Sequence, residues 1–274
     1  MSDIISPEIL SKLKKLRPNR QSGQTSPHKI ALLLAVAKLF DMGMIHEIRI
    51  LISPELIAHF HQIGHRLAPT YANKLLIHLP LYHLQSSGLW NLQTVHGVGG
   101  ALTKSNSPKS LSALLNYVEH IQLHEGFFQH LSTRASRTAI KKFLIQHYFP
   151  ESIDNFKSLD AEVKRYLILQ EQQFLEGVAT EQSSKMAYEV RSTLFKQQVP
   201  KVYEYTCSIS GLKVEALNGS SLIDACHIQP FSVNHLDTIQ NGICLTPTIH
   251  RAFDRGLISI SDDYRVLISK HFSE

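Results

Sequence analysis

The order of apolar and polar positions divides the chain into a helical first part and a turn-rich last part. Residues 1–25 are polar and basic and read as a short helix followed by a loop. Ser26-Pro27 forms a helix start, with Ser as N-cap and Pro at the first helical position. Positions 30–40 are nearly all apolar, so the helix predicted there is buried, and Gly43 ends it. Residues 45–52 alternate loosely as a strand would, and 54–65 read as a second helix. Residues 77–84 are an apolar segment broken by Pro80, 86–92 a turn and short strand, and 97–100 and 105–110 loops. Residues 111–119 and 133–147 are predicted helices, the second with Arg134, Arg137, Lys141 and Lys142 at helical spacing. That stripe is a phosphate track or a solvated helix face.

Residues 151–200 contain two helical patterns, 157–176 and 181–198, and are expected to be a linker that also serves dimerisation. From Tyr203 onward short strand-like runs alternate with turns at Gly211, Asn218-Gly219, Asn241-Gly242 and Gly256. A module of ~70 residues is small for a self-sufficient core, so packing on the preceding helices or a bound metal would help it. The expected class is α+β: a mainly helical domain over 1–150 with short strands, the helical linker over 151–200, and a compact module over 201–274.

Composition narrows the function classes. The 274 residues are 43% hydrophobic and 19% charged, which supports folded cores and excludes a disordered chain. No apolar run approaches the ~18–20 residues of a membrane span, and the N-terminus has no signal-peptide pattern. Cys207, Cys226 and Cys244 are odd in number and form no Cys-x-x-Cys pair, so neither a disulfide framework nor a structural zinc is expected. A cytoplasmic protein is the expectation. Residues 1–150 hold 16 basic against 7 acidic side chains, net +9, and 151–274 hold 12 against 16, net −4. A basic first part suits a polyanion such as DNA.

The last module carries the chemistry. Asp224-Ala-Cys-His227-Ile-Gln-Pro230 is followed by Asn241-Gly242 and by His250-Arg-Ala-Phe-Asp254-Arg-Gly256. His227 ends an apolar strand-like run, and Thr246-Pro247 starts a helix that carries His250 and Asp254 on one face. A strand-end imidazole facing a helical His/Asp pair can share one divalent cation and one water with it.

The ordered set His227, Asn241, His250, together with its flanks over about residues 203–270, resembles the HNH nuclease family. The resemblance implies a ββα-metal module that hydrolyses phosphodiesters and leaves 5′-phosphate and 3′-hydroxyl ends. It makes His227 the general base for water and Asn241 the residue that holds the loop aiming His227. His250 and Asp254 become the metal ligands for Mg²⁺, Mn²⁺ or Ni²⁺, with Zn²⁺ also suited. Asp224 stands two residues before Cys226 on the same strand face and is a further candidate oxygen ligand. Cys226 occupies a position where relatives place an additional ligand; it is either a neutral buried thiol or a ligand for a softer metal. Arg251 and Arg255 are phosphate contacts or ordinary helix-surface charge, Phe253 is expected in the core, and His235 and His271 are expected to be solvent-exposed.

Upstream, Ser26-Pro-His-Lys, His78-Leu-Pro-Leu-Tyr-His-Leu84 with Gly88-Leu-Trp90, and Leu102-Thr-Lys-Ser resemble the sulfur-binding domain of McrA-like, phosphorothioation-dependent restriction endonucleases. The likeness runs over about residues 10–150. It implies that the first domain reads DNA in which sulfur replaces a non-bridging phosphate oxygen. Sulfur is larger, softer and more weakly hydrated than oxygen, so an apolar cup flanked by cationic donors can prefer it. Leu79, Pro80 and His83 are the candidate cup; His28, Lys29 and Lys104 are the candidate donors, with Thr103 nearby. Pro27 and His28 starting a helix, and Pro80 breaking a strand, are the structural alternatives, and Trp90 is expected in the core. The chain thus reads as a modification-dependent endonuclease acting on double-stranded DNA as a homodimer. The rival readings are an HNH nuclease directed to methylated or plain DNA and a non-catalytic DNA-binding module.

Overall fold

The computed structural model describes residues 4–21, 24–94, 107–152, 159–177, 185–213, 221–234 and 236–270. The chain divides into two compact units, Met1–Ile168 and Leu169–Glu274. The first begins with α1 (Pro7–Lys14), the two-residue strands β1 (Arg20–Gln21) and β2 (Gln24–Thr25), α2 (His28–Asp41), β3 (Arg49–Ile50) and α3 (Pro54–Leu67). It continues with α4 (His78–His83), β4 (Trp90–Thr94), α5 (Leu111–Leu115), β5 (Val118–Leu123), α6 (Glu125–Ser132) and α7 (Arg134–Tyr148). α8 (Leu159–Glu176) straddles the division.

α2 is the axis of the first unit. It is apolar all round because it is packed all round, by α3, α4, α6 and α7. On α3, Gly64 makes room for Leu75: a Cβ there would stand 2.8 Å from Leu75 Cδ1. β3, β5 and β4 form an antiparallel sheet in that order, with Trp90 opposite Leu123 and Leu92 opposite Ile121. Trp90 is 1% exposed and donates its Nε1–H to the Leu81 carbonyl at 3.2 Å, so its one polar atom is satisfied in the core.

Several expectations change. Ser26 does not cap α2. Pro27 holds the N-cap position, and the Ser26 hydroxyl lies 2.7 Å from His28 Nδ1 instead. Pro80 breaks no strand; it is the third residue of α4, in the first turn, where helical N–H groups have no intrahelical acceptor to reach. The helix expected over 111–119 ends at Leu115, and Val118 opens the central strand of the sheet.

The basic stripe on α7 is partly internal. Arg137 is buried and donates to Asp41 Oδ1 at 2.6 Å and to the Leu131 carbonyl, while Lys141 pairs with Asp41 Oδ2. Only Arg134 and Lys142 of the stripe are exposed to solvent.

The second unit contains the rest of α8, then α9 (Lys185–Val202), β6 (Asp224–His227), α10 (Phe231–Asn234), β7 (Gly242–Leu245), α11 (Pro247–Asp254), β8 (Ile258–Ile260) and β9 (Val266–Ile268). β6 and β7 pair antiparallel with His227 opposite Gly242 and Asp224 opposite Leu245. α9 and α11 both pack on this hairpin. The part of the expected 151–200 linker that follows residue 168 therefore lies inside the second unit. Mixed helices and small antiparallel sheets make the α+β class expected. Among the described residues no helix is long and apolar enough to cross a membrane.

Burial opposes the charged form of Asp41, and the hydrogen bonds from Lys141 and Arg137 more than offset it, holding the carboxyl below its ordinary value. The stabilisation this supplies is complete above the unfolded value of ~3.9 and is lost as pH falls through the lowered folded value. Asp41→Asn is expected to lose on the order of 1 kcal/mol at neutral pH, because it removes the charge facing Arg137 and Lys141 at a solvent-screened position, and to lose less on acidification. Urea unfolding of both proteins at pH 7 and pH 3 checks this; an equal difference at both values would contradict it.

Candidate functional site

The β6–β7 hairpin and α11 assemble two hydrogen-bonded groups at the two ends of one short strand. At its end, His227 Nε2 is 2.8 Å from Asp237 Oδ1, and its ring stacks on Phe195 of α9 with centroids 4.1 Å apart and planes 5° apart. Phe231 of α10 leans on the same ring at 5.6 Å. Gly242, opposite His227, lets α9 approach: a Cβ there would lie 2.5 Å from Val199 Cγ2. Val199 is one turn beyond Phe195, so the missing side chain on β7 is what allows the stack.

Asn241 stitches the intervening loop. Its Oδ1 accepts from the Gln229 N–H at 2.8 Å, and its Nδ2 donates to the carbonyls of Gln229 and Leu236, both at 3.1 Å. It is buried, and its own carbonyl accepts from the Ile228 N–H at 2.8 Å. Both sides of the loop that follows His227 are thereby tied to one amide.

At the start of the strand, His250 sits between two carboxylates. Its Nδ1 is 3.0 Å from Asp224 Oδ2, and its Nε2 is 3.1 Å from Asp254 Oδ2, the latter across one turn of α11. A neutral imidazole donates from one nitrogen only, so the second carboxylate faces a lone pair unless a cation is present. Two donors at ~2.1 Å on adjacent octahedral positions stand ~3.0 Å apart, so these pairs have the spacing of metal ligands. The donor chemistry therefore fits a hard or borderline divalent ion. Among the described residues no cluster of three or more His, Cys, Asp or Glu is ready-made for an ion. A two-donor site leaves the other positions to water and phosphate oxygens, as Mg²⁺-type sites do.

Cys226 lies between the two groups and is 1% exposed. Burial, with the charges of Asp224 and Asp254 nearby, pushes its thiol far above the ordinary range. Burial thus favours the neutral thiol of the two alternatives for Cys226 where no ion is bound. Cys244 is pushed up to about 12 for the same reason. Phe253, expected in the core, is half-exposed, and Arg251 and Arg255 on α11 are exposed.

Three residues near the chemistry were not anticipated. Asp237 is 4% exposed, and Phe195 and Lys196 come from α9, which reads as linker in the sequence. Burial draws the Lys196 ammonium down to about 8, partly offset by the charges of Asp224 and Asp237. Asp237, four residues before Asn241, was legible only as part of the polar loop, and no local periodicity points from α9 to His227.

In the first unit, the expected sulfur-site residues separate into groups. Lys29 and His83 are brought together: burial, then the Lys29 charge, lowers the His83 pKa. Burial also lowers that of Lys29, whose Nζ donates to the Arg17 carbonyl at 3.1 Å. Leu79 is half-exposed and Pro80 buried. His28 uses both ring nitrogens internally, Nδ1 with Ser26 and Nε2 with the Lys74 carbonyl at 3.2 Å. Thr103 and Lys104 lie outside the described residues, as do His235 and His271.

A ββα hairpin-and-helix carrying His227, Asn241 and His250 defines an HNH endonuclease domain, and the HNH endonuclease family model matches residues 207–261. The chain belongs to the ScoMcrA-like, DNA sulfur-binding domain family, whose model matches residues 6–157, more than half its length. Among solved structures, it is similar to a modification-dependent TagI restriction endonuclease, with 30% identity over 30% of this chain and 29% of that one, and a TM-score of 0.27. It is also similar to the sulfur-binding domain of ScoMcrA complexed with phosphorothioated DNA, with 16% identity over 58% of this chain and 94% of that one, and a TM-score of 0.40. The chain thus spans less than a third of the TagI endonuclease's length. No curated protein matches it.

Asn241→Ala removes three hydrogen bonds from the loop after His227. It is expected to cost roughly 2–3 kcal/mol, since buried backbone groups lose their partners. Chemical denaturation followed by fluorescence checks this; a change under about 0.5 kcal/mol would show that the loop is held by other means.

Proposed function

We propose that the protein is a modification-dependent restriction endonuclease that recognises phosphorothioated double-stranded DNA and hydrolyses phosphodiester bonds near it. The observation that carries the reading is the joining of two parts in one chain: the sulfur-binding domain, and an HNH module whose strand β6 carries His227 at one end and meets the His250, Asp224 and Asp254 donors at the other.

His227 accepts the proton of a water whose oxygen attacks phosphorus. The bond from phosphorus to the 3′ oxygen breaks, and that oxygen leaves as a 3′-hydroxyl after taking a proton from solvent. With Nε2 directed at Asp237, Nδ1 is the nitrogen left to receive the proton. Asn241 keeps the loop in place, and the exposed Arg251 and Arg255 reach phosphate oxygens along α11. His250 Nε2 with Asp254 would hold one divalent ion, Mg²⁺, Mn²⁺ or Ni²⁺ with Zn²⁺ also compatible, while Asp224 faces Nδ1 and is the alternative carboxylate; the ion would supply Lewis-acid stabilisation of the phosphate and leaving-oxygen charge.

For the reader, Leu79 and His83 form the accessible wall for sulfur, and Lys29 supplies positive charge beside it. Thr103 and Lys104 belong to the same site by resemblance. His28 supports the site through Ser26 and Lys74, and Pro80 shapes the short helix that carries Leu79 and His83.

Phosphorothioate duplex is expected to bind the full-length protein at least about tenfold more tightly than the same plain duplex, a difference of ~1.4 kcal/mol. His227→Ala is expected to bind DNA normally yet fail to nick it with Mn²⁺. Competition binding and a plasmid nicking assay check both. Equal binding of the two duplexes would redirect the reader to methylated or plain DNA. Undiminished cutting by the variant would remove His227 as base, and a wild-type protein that binds but never cuts would leave a DNA-binding module.

A double-strand break needs two active sites, so the working form is a homodimer joined through the helices of the 151–200 segment. Leu169 and Leu175 on α8 are 50% and 54% exposed and available for such a contact. Light scattering is expected to give twice the chain mass for the DNA-bound protein; a monomer both free and DNA-bound would remove the dimer.

A further inference from the structure

We propose that Asp237 is the positioning residue for His227, and that it selects which imidazole nitrogen receives the proton of the attacking water. This rests on the nuclease reading of the same site and adds a residue that the His–Asn–His pattern does not contain.

The geometry is that of a dyad. Asp237 Oδ1 lies 2.8 Å from His227 Nε2, and a carboxylate can only accept, so Nε2 carries the hydrogen. The neutral ring is thereby held with Nδ1 unprotonated. Phe195 and Phe231 hold the ring plane, so the hydrogen bond and the stack together leave the imidazole one orientation. Tautomer and direction are both set before any substrate arrives.

The burial of Asp237 gives the pair a second property. Its carboxylate is 4% exposed, and Oδ2 is buried without a hydrogen-bond partner among the described residues. A carboxylate so poorly hydrated is better matched by an imidazolium than by a neutral imidazole. The pair is therefore more favourable after the water's proton has reached Nδ1 than before, and an interaction that strengthens toward the transition state accelerates the step. The proton stays on His227; the hydrogen on Nε2 remains between His227 and Asp237 and is not transferred. The other groups that act on Asp237 electrostatically are Tyr188, whose hydroxyl its charge helps to push up, and Lys196, both from α9.

The alternative is that Asp237 only closes the loop before Asn241. The two are separated by a signature that loop closure would not produce. Full-length protein with ¹⁵N-labelled histidine is examined by NMR above neutral pH, the His227 signals being identified by their loss in His227→Gln. The expected result is a protonated Nε2 and an unprotonated Nδ1 in the wild type, with the fixed tautomer lost in Asp237→Asn. In single-turnover cleavage with Mn²⁺, Asp237→Asn is expected to slow the step on the order of 100-fold or more, with DNA affinity unchanged. A wild-type ring protonated on Nδ1, or a folded Asp237→Asn protein that cuts within about twofold of wild type, would overturn the proposal. The wild-type spectrum decides even if the variant does not fold. If wild-type protein cuts no DNA with any metal the nuclease reading fails, while the spectrum still judges the pairing of Asp237 with His227.

Discussion

The pairing of β6 with β7, closed by the Asn241 side chain, is the constraint on which the candidate active site depends. Four residues of strand place Asp224 at one end and His227 at the other, a span on the order of 10 Å. Asn241 then ties the chain leaving His227 to the chain entering β7, so the imidazole leaves the sheet in one direction. Without that lock, the loop would pay its ordering entropy anew each time the base was aimed. Gly242 completes the arrangement by admitting α9 to the hairpin, where Phe195 backs the ring.

The two ends of β6 divide the chemistry. One holds an imidazole hydrogen-bonded to a buried carboxylate, the other an imidazole flanked by two carboxylates. Cys226 between them is buried, and burial opposes its ionisation. Arg251 on α11 and Arg255 just after it are exposed, which suits them to meet a phosphate backbone. In the first unit, α2, buried along most of its length, carries Lys29 at its start and packs against α4, which carries Leu79 and His83. The basic side chains of α7 are shared between solvent and the Asp41 carboxylate.

What was readable in the sequence was what local pattern encodes. Continuous apolar character predicted buried α2, the pattern over 54–65 predicted α3, and Thr246-Pro247 marked α11 with His250 and Asp254 on one face. The ordered His227, Asn241 and His250 pointed to the HNH module because that chemistry needs those side chains on adjoining elements. What was not readable was long-range. Leu111 to Leu115 begins a helix, yet Val118 turns into a strand because a sheet edge awaits it on β3 and β4, a tertiary effect that overrides propensity. Arg137 looked like part of a surface stripe, and its partner Asp41 is 96 positions away. Asp237 and Phe195 belong to the site through contacts across a loop and from a preceding helix, and neither follows a period of 2 or 3.6.

The most direct measurement is a plasmid comparison with the full-length protein. Phosphorothioated plasmid and the same plasmid without sulfur are incubated with Mg²⁺, Mn²⁺ or Ni²⁺, and the products are resolved on a gel. The account predicts linear product from the sulfur-bearing plasmid, ending in 5′-phosphates, while the plain plasmid stays supercoiled. Equal cutting of both plasmids, or intact sulfur-bearing plasmid with every metal, would contradict it.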